Sequence, residues 1–251
     1  MDGFVVHPVL ASVRVTVVRE MPALDASLEA EINRLWNAAQ LRMAAGGAGR
    51  LFNGRVFSAD TITEGYIGGH MTEFRRIVAQ MHRPALFEVL AVRPLAVCGV
   101  LRCAGGVVVG RRHAGAIYQA GMWQLPPAGS VDAGALRPDD SLDIAGQLLK
   151  ELREELGISA VQVDTPRPLC VVEHPGSHVS DLGMAISTSL DAAEVLAAHG
   201  AAGNNEYAPL LVVAEEDIAS FVVGVGADLV PPALEFLRRV GLLPEAVKDV
   251  R

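Results

Sequence analysis

The sequence predicts an α/β protein: a small N-terminal α/β unit over residues 1–90, followed by a larger α/β domain over residues 91–251. Three observations carry this. Apolar runs of strand length recur between longer segments of helical periodicity. The proline-bounded stretch from Pro84 to Pro94 separates two such regions. With 251 residues, half of them apolar, the chain can bury one large core or two smaller ones.

In the first region, Val13 to Val18 alternates as a strand does. From about Ala23 to Ala44, Leu24, Leu28, Ile32, Leu35 and Leu41 fall near one helical face, and Gly46-Gly47-Ala48-Gly49 is expected to break that helix. Leu51 to Phe57 reads as a strand with a turn, and Met71 to Met81 as a second helix. In the second region strands are expected at Ala96 to Arg102, Val107 to Arg112, near Arg167 to Glu173 and at Met184 to Ser189. A closing helix is expected at Ala214 to Val222, and a C-terminal one over Val230 to Leu243 opens on Pro231-Pro232.

The best-defined helix is Leu142 to Leu156. Pro138 cannot sit inside it, Ser141 is a suitable N-cap, and Gly157 suits the left-handed position after its end. Gly146 within it costs about 1 kcal/mol relative to alanine, for which close packing on a sheet is the expected reason. Leu148, Leu149, Leu152 and Leu156 form one arc, while Glu151, Glu154 and Glu155 share the neighbouring one. Carboxylates three and four apart repel, and only Lys150 and Arg153 offset this locally. A bound cation reverses the sign of that repulsion, and oxygen ligands at this density suit Mg²⁺, Mn²⁺ or Ca²⁺ rather than zinc. Against this stands the plain solvated face, since Glu-rich helix surfaces are common.

What precedes the helix weighs against the plain face. Trp123-Gln124-Leu125-Pro126-Pro127-Ala128-Gly129 reads as a strand entering a Gly/Pro loop, and with Lys150-Glu151-Leu152-Arg153-Glu154-Glu155-Leu156-Gly157-Ile158 it resembles the box of the Nudix hydrolases, G-x5-E-x7-R-E-U-x-E-E-x-G-U with U aliphatic. Gly129 matches the opening glycine, Glu151 to Ile158 match the second half, and Lys150 stands where the family has arginine. The box is stretched by seven residues, placed within 135–141 or nearby and expected as extra N-terminal helix. Ala135 or Leu142 occupies the position of the first glutamate, depending on the direction of counting, so that carboxylate is absent. In the family it braces the arginine beside the metal ligands. Asp139, Asp140 and Asp143 are possible replacements, although acidic residues near a helix start are favoured by its dipole anyway.

The resemblance implies an α/β/α sandwich with a mixed sheet and hydrolysis of the pyrophosphate bond of a nucleoside diphosphate linked to another moiety, with Mg²⁺ or Mn²⁺ as cofactor. Glu151, Glu154, Glu155 and the carbonyl of Gly129 are the implied metal ligands. Glu154, Glu155 and Lys150 are the catalytic candidates, with Glu154 or Glu155 as base; Glu173, Glu206 and the Glu215-Glu216-Asp217 cluster stand in reserve. Arg111, Arg112 and Trp123 are the substrate-binding candidates, the arginines for a phosphate and the tryptophan for a base, although one arginine is expected to face solvent and a tryptophan there is more often core. His174 and His178 are read as a loop near the substrate mouth, because Pro175 and Gly176 between them preclude a regular helix.

The N-terminal region, the stretched box and Leu51-Phe52-Asn53-Gly54 are loosely similar to the branch that hydrolyses UDP-glucose and UDP-galactose, which implies a nucleotide sugar as substrate. ADP-ribose or a coenzyme A diphosphate is the alternative. A nucleotide-binding domain without catalysis is a third reading, and the Glu151, Glu154 and Glu155 set opposes it.

Composition narrows the partners. The net charge is −8, and Arg75-Arg76, Arg111-Arg112 and Arg238-Arg239 are isolated pairs rather than a basic stripe, which argues against nucleic acid. The opening Met1-Asp2-Gly3-Phe4 lacks a basic leader and no apolar run is long enough for a bilayer, so a cytoplasmic protein without a membrane partner is expected. Cys98, Cys103 and Cys170 show no C-x-x-C spacing and read as buried thiols.

Overall fold

The computed structural model describes residues 3–45 and 50–244. The elements run β1 (Val5–Pro8), β2 (Arg14–Val17), α1 (Ala26–Ala45), β3 (Arg55–Ile62), β4 (Tyr66–Glu73), α2 (Phe74–His82), α3 (Phe87–Leu90), β5 (Leu95–Ala104), β6 (Gly106–Arg112), β7 (Trp123–Gln124) and β8 (Ala128–Ser130). They continue with α4 (Ile144–Leu156), β9 (Arg167–Glu173), β10 (Ser180–Asp191), α5 (Ala192–Ala202), β11 (Tyr207–Val213), α6 (Ile218–Val225) and α7 (Pro231–Arg239).

The large sheet has the strand order β1-β9-β10-β5-β6-β11, with β7 paired to β6 and β8 to β5. It is mixed, because β10 runs parallel to β5 while the other pairs are antiparallel. The alternation of side chains along its strands sorts them onto two faces. Val97 and Leu101 of β5, Val108 of β6, and Leu182, Met184 and Ile186 of β10 pack with Leu148, Leu152 and Leu156 of α4 and Val195 of α5. Cys98, Val100, Val107 and Val109 point the other way and pack with Ile218 and Val222 of α6 and Ala233, Phe236 and Leu237 of α7. Helices cover both faces, an α/β/α sandwich.

The N-terminal elements form a second sheet, β2-β4-β3, with β2 parallel to β4 and β3 antiparallel to it. Helices α1 and α2 pack on it through Ile32, Val56, Ile77 and Ala79. Its inner side chains Val15, Phe57, Ala59, Ile67 and Met71 share the core with the large sheet and α4, and β1 pairs with β9 at the edge of the large sheet. The N-terminal unit is thus packed against the layer that carries α4.

Several expectations are corrected. Residues 71–73 end strand β4 instead of opening a helix; α2 begins at Phe74. The C-terminal helix stops at Arg239. Helix α4 begins at Ile144, with Asp143 as its N-cap, accepting a hydrogen bond from the Gly146 N–H at 2.9 Å. Gly146 is there for that cap and not for sheet packing, since a Cβ on it would lie 2.7 Å from the Asp143 carboxyl. The inserted residues are not extra helix. They form an excursion whose Leu142 and Asp140 backbones bond to Val15 and Val17 of β2. The expected break at 46–49 lies outside the described residues. Gly157 does end α4, at φ +69°. Among the described residues all three cysteines are free, and no helix is long and apolar enough to cross a membrane.

Candidate active site

A cleft of about 410 Å³ opens between the N-terminal end of β5, the loop before β8, α4 and the side of α2. Of the residues expected from the sequence, Gly129, Lys150, Glu151, Glu154 and Arg112 line it. Arg111 does not: alternation along β6 turns it outward, where its Nε donates to the Gly121 carbonyl at 2.9 Å. Trp123 also stays out of the cleft. It packs edge-on against Phe221 with ring centres 5.3 Å apart, in the core on the far face.

Strand β8 brings Gly129 against α4 so closely that a Cβ on Gly129 would stand 2.3 Å from the carboxyl carbon of Glu151. Only glycine leaves room for that carboxylate, a requirement of close approach rather than of backbone conformation. Gln147, one turn earlier on α4, donates to Glu151 Oε1 at 2.6 Å. Burial pushes the Glu151 carboxyl up to about 7, and the charges of Glu154 and Glu206 add to this.

Glu154 is exposed at the cleft and Glu155 is buried behind it. The Glu155 carboxylate accepts the Ala128 N–H at 2.9 Å and the Tyr207 hydroxyl at 3.4 Å. Burial, then the charge of Glu206, drives its pKa well above the usual carboxylate range. The three glutamates therefore share a helical arc but not an environment.

Lys150 Nζ donates to Asp132 Oδ2 at 2.7 Å, and this hydrogen bond raises the lysine's pKa. Asp132, three residues after Gly129, thus anchors Lys150 across the inserted segment. The other acidic candidates are committed elsewhere: Asp139 accepts from Ser141, and Asp143 caps α4 and pairs with Arg137. Asp140 sits at φ +62° in the turn. Asp132 was legible only as an acidic residue near the loop, since nothing in the sequence spacing couples it to Lys150.

Opposite α4, Arg112 contacts the Gln124 side-chain oxygen and lies 3.9 Å from Glu206. Glu206, one of the reserve carboxylates, lines the cleft, and burial raises its pKa. Phe74, Ile77 and Met81 of α2 give the cleft an apolar wall. Tyr118 and Asp181, neither singled out from the sequence, line it too. His174 lies behind them, bonded to both, whereas His178 stacks on Phe87 with ring centres 3.4 Å apart.

Among the described residues no three carboxylate, imidazole or thiol side chains already stand together as a metal-ligand group. Glu151, Glu154 and the Gly129 backbone still fit a hard divalent cation, because they supply oxygen donors to one cleft and because the ionised form of Glu151 is disfavoured by its surroundings. Glu155 lies buried behind them, with Oε2 on the Ala128 N–H.

No family model and no curated protein matches the chain. Solved structures similar to it include DR0079 from Deinococcus radiodurans, 18% identical over 58% of this chain and 82% of that one, with a TM-score of 0.41. Another is a Nudix hydrolase from M. smegmatis, RenU, 21% identical over 61% and 88%, with a TM-score of 0.39. A third is a C. elegans Ap4A hydrolase in a binary complex, 19% identical over 58% and 95%, with a TM-score of 0.36. Likeness at this level carries no argument about the chemistry, which rests on the cleft.

Proposed function

We propose that the chain is a Nudix pyrophosphohydrolase that cleaves a nucleoside diphosphate linked to a second group, and that this substrate is a nucleotide sugar such as UDP-glucose, giving UMP and a sugar 1-phosphate. The observation that supports it best is the seating of the Glu151 carboxylate against Gly129, with Glu154 beside it and Lys150 held by Asp132 in the same cleft. A plain solvated helix face has no use for a glycine that makes room for a half-buried carboxylate.

Glu151, Glu154 and the Gly129 carbonyl would hold Mg²⁺ or Mn²⁺, with Glu155 as a further ligand; such an ion supplies charge neutralisation on the pyrophosphate and acidifies a bound water. The chain's own groups do the rest. Gln147 fixes one oxygen of Glu151. Lys150, anchored by Asp132, keeps its positive charge beside Glu151 and Glu154 and offsets their repulsion. Arg112 offers a guanidinium to phosphate oxygens from the opposite wall. The α2 wall, contributed by the N-terminal unit, accounts for a second substrate moiety beyond the phosphates and favours a compound of two organic halves over a simple nucleotide. In the same reading the protein is cytoplasmic and its ligand is a small molecule.

The test is chromatography of products after incubation with UDP-glucose, ADP-ribose or coenzyme A and Mg²⁺. UMP with glucose 1-phosphate supports the reading. Cleavage confined to ADP-ribose or coenzyme A overturns the nucleotide sugar but keeps the hydrolase, and thermal stabilisation by a ligand without turnover overturns catalysis.

A further inference from the structure

We infer that Asp181 is the general base of the cleft and that His174 is the residue that positions it. The inference rests on the proposed hydrolysis. Among the described residues five carboxylates line the cleft: Asp132, Glu151, Glu154, Asp181 and Glu206. Asp132 is bound to Lys150 at 2.7 Å, and Glu206 faces Arg112 at 3.9 Å. Glu151 and Glu154 are the residues assigned to the cation, and a carboxylate that ligates a cation is a poor proton acceptor. Glu155, the other candidate from the sequence, is buried and holds the Ala128 N–H. Asp181 is left.

Its setting suits the role. Asp181 sits near the start of β10, and its Oδ2 meets His174 Nε2 at 2.9 Å. His174 is buried, and its Nδ1 lies 2.9 Å from the Tyr118 hydroxyl, which in turn lies 2.9 Å from Ser177 Oγ. A carboxylate offers no proton, so Nε2 of His174 is the donor to Asp181. On its far side the ring is tied through Nδ1 to the Tyr118 hydroxyl, which also meets Ser177 Oγ. One carboxylate oxygen, Oδ2, is fixed by His174, and Asp181 lines the cleft. A base must be held within hydrogen-bond reach of the proton it removes, and this arrangement holds one.

In the step, the water oxygen forms a bond to one phosphorus of the pyrophosphate while its proton passes to Asp181 Oδ1. The bond from that phosphorus to the bridging oxygen breaks, and the departing phosphate keeps the electron pair. Asp181 touches the reacting water, whereas His174 acts only through Asp181.

The experiment uses the full-length chain with Mg²⁺ and whichever of UDP-glucose, ADP-ribose or coenzyme A it cleaves. Asp181→Asn is expected to lower kcat at least about a hundredfold with KM within about threefold, since it keeps the shape and removes the basicity. His174→Leu is expected to lower kcat about tenfold, and His174→Gln, which retains a side-chain N–H donor, to recover most of that loss. Asp181→Asn with near-wild-type kcat, or with a loss confined to KM, overturns the assignment while the hydrolase reading stands. Equal losses in His174→Leu and His174→Gln overturn the positioning role. A wild-type chain that turns over none of the three overturns the reading on which the inference rests.

Discussion

Lys150 and Asp132 are joined by a 2.7 Å hydrogen bond that bridges the inserted segment of the box. The two residues bracket the excursion that docks on β2, so the stretched box closes on itself before α4 presents its carboxylates. Lys150→Arg should therefore be tolerated within about threefold in kcat, because a guanidinium can reach the same carboxylate. Asp132→Ala should lower kcat about tenfold, or roughly 1.4 kcal/mol of barrier. Steady-state kinetics of both variants checks this; collapse of Lys150→Arg at unaltered Tm would show that the anchor has another geometry.

Gly129→Ala separates stability from function. The three atoms nearest the added Cβ are the carboxyl carbon and both oxygens of the flexible Glu151 side chain. That carboxylate can swing away at little cost to the fold, but it then leaves the cation site. A Tm change of no more than a few degrees with at least about a hundredfold loss in kcat is expected, and calorimetry beside an activity assay decides it.

Glu154→Gln and Glu155→Gln should each lower kcat at least about a hundredfold, roughly 2.7 kcal/mol, while the fold survives. Near-wild-type turnover in both, with unchanged metal dependence, would remove them from the mechanism.

The cation should couple to pH through Glu151. Its pKa is raised from 4.5 to about 7 by burial first and neighbouring carboxylates after, so the folded state binds this proton more tightly than the unfolded chain does. Metal-free stability then falls as pH rises between about 4.5 and about 7, and Glu155, shifted in the same direction, adds to the fall. Mg²⁺ binds the ionised carboxylate, so it should raise Tm more at about pH 8 than at about pH 5.5. Thermal melts with and without Mg²⁺ measure this; equal shifts at both pH values, or the same pH dependence in Glu151→Gln, would contradict the assignment.

What could be read from the sequence was what lies within one element. The α4 carboxylates stand on consecutive turns, so their shared arc followed from helical periodicity, whereas Gly129 was singled out by the resemblance to the opening of the Nudix box. Which of the three faces the cleft depends on how α4 sits against β8, and periodicity does not report that: Glu155 turned inward to Ala128 while Glu154 stayed out. Strand β4 runs straight into α2 with no glycine or proline between Glu73 and Phe74, so the expected helix began too early. Asp132 with Lys150, and Asp181 with His174 and Tyr118, are pairings between separate segments that only the packed sheet assembles. Helix α5 does carry a local signal that went unread, the capping box of Asp191 and Glu194 ahead of an alanine-rich run of high helix propensity.

The most direct test of the central claim is phosphorus NMR of UDP-glucose incubated with the protein and Mg²⁺ in oxygen-18 water. Hydrolysis at this cleft predicts two phosphomonoesters, UMP and glucose 1-phosphate, with one labelled oxygen on only one of them and both released at least about a hundredfold more slowly by Gly129→Ala. Release of UDP and free glucose, or an intact pyrophosphate after prolonged incubation, would contradict it.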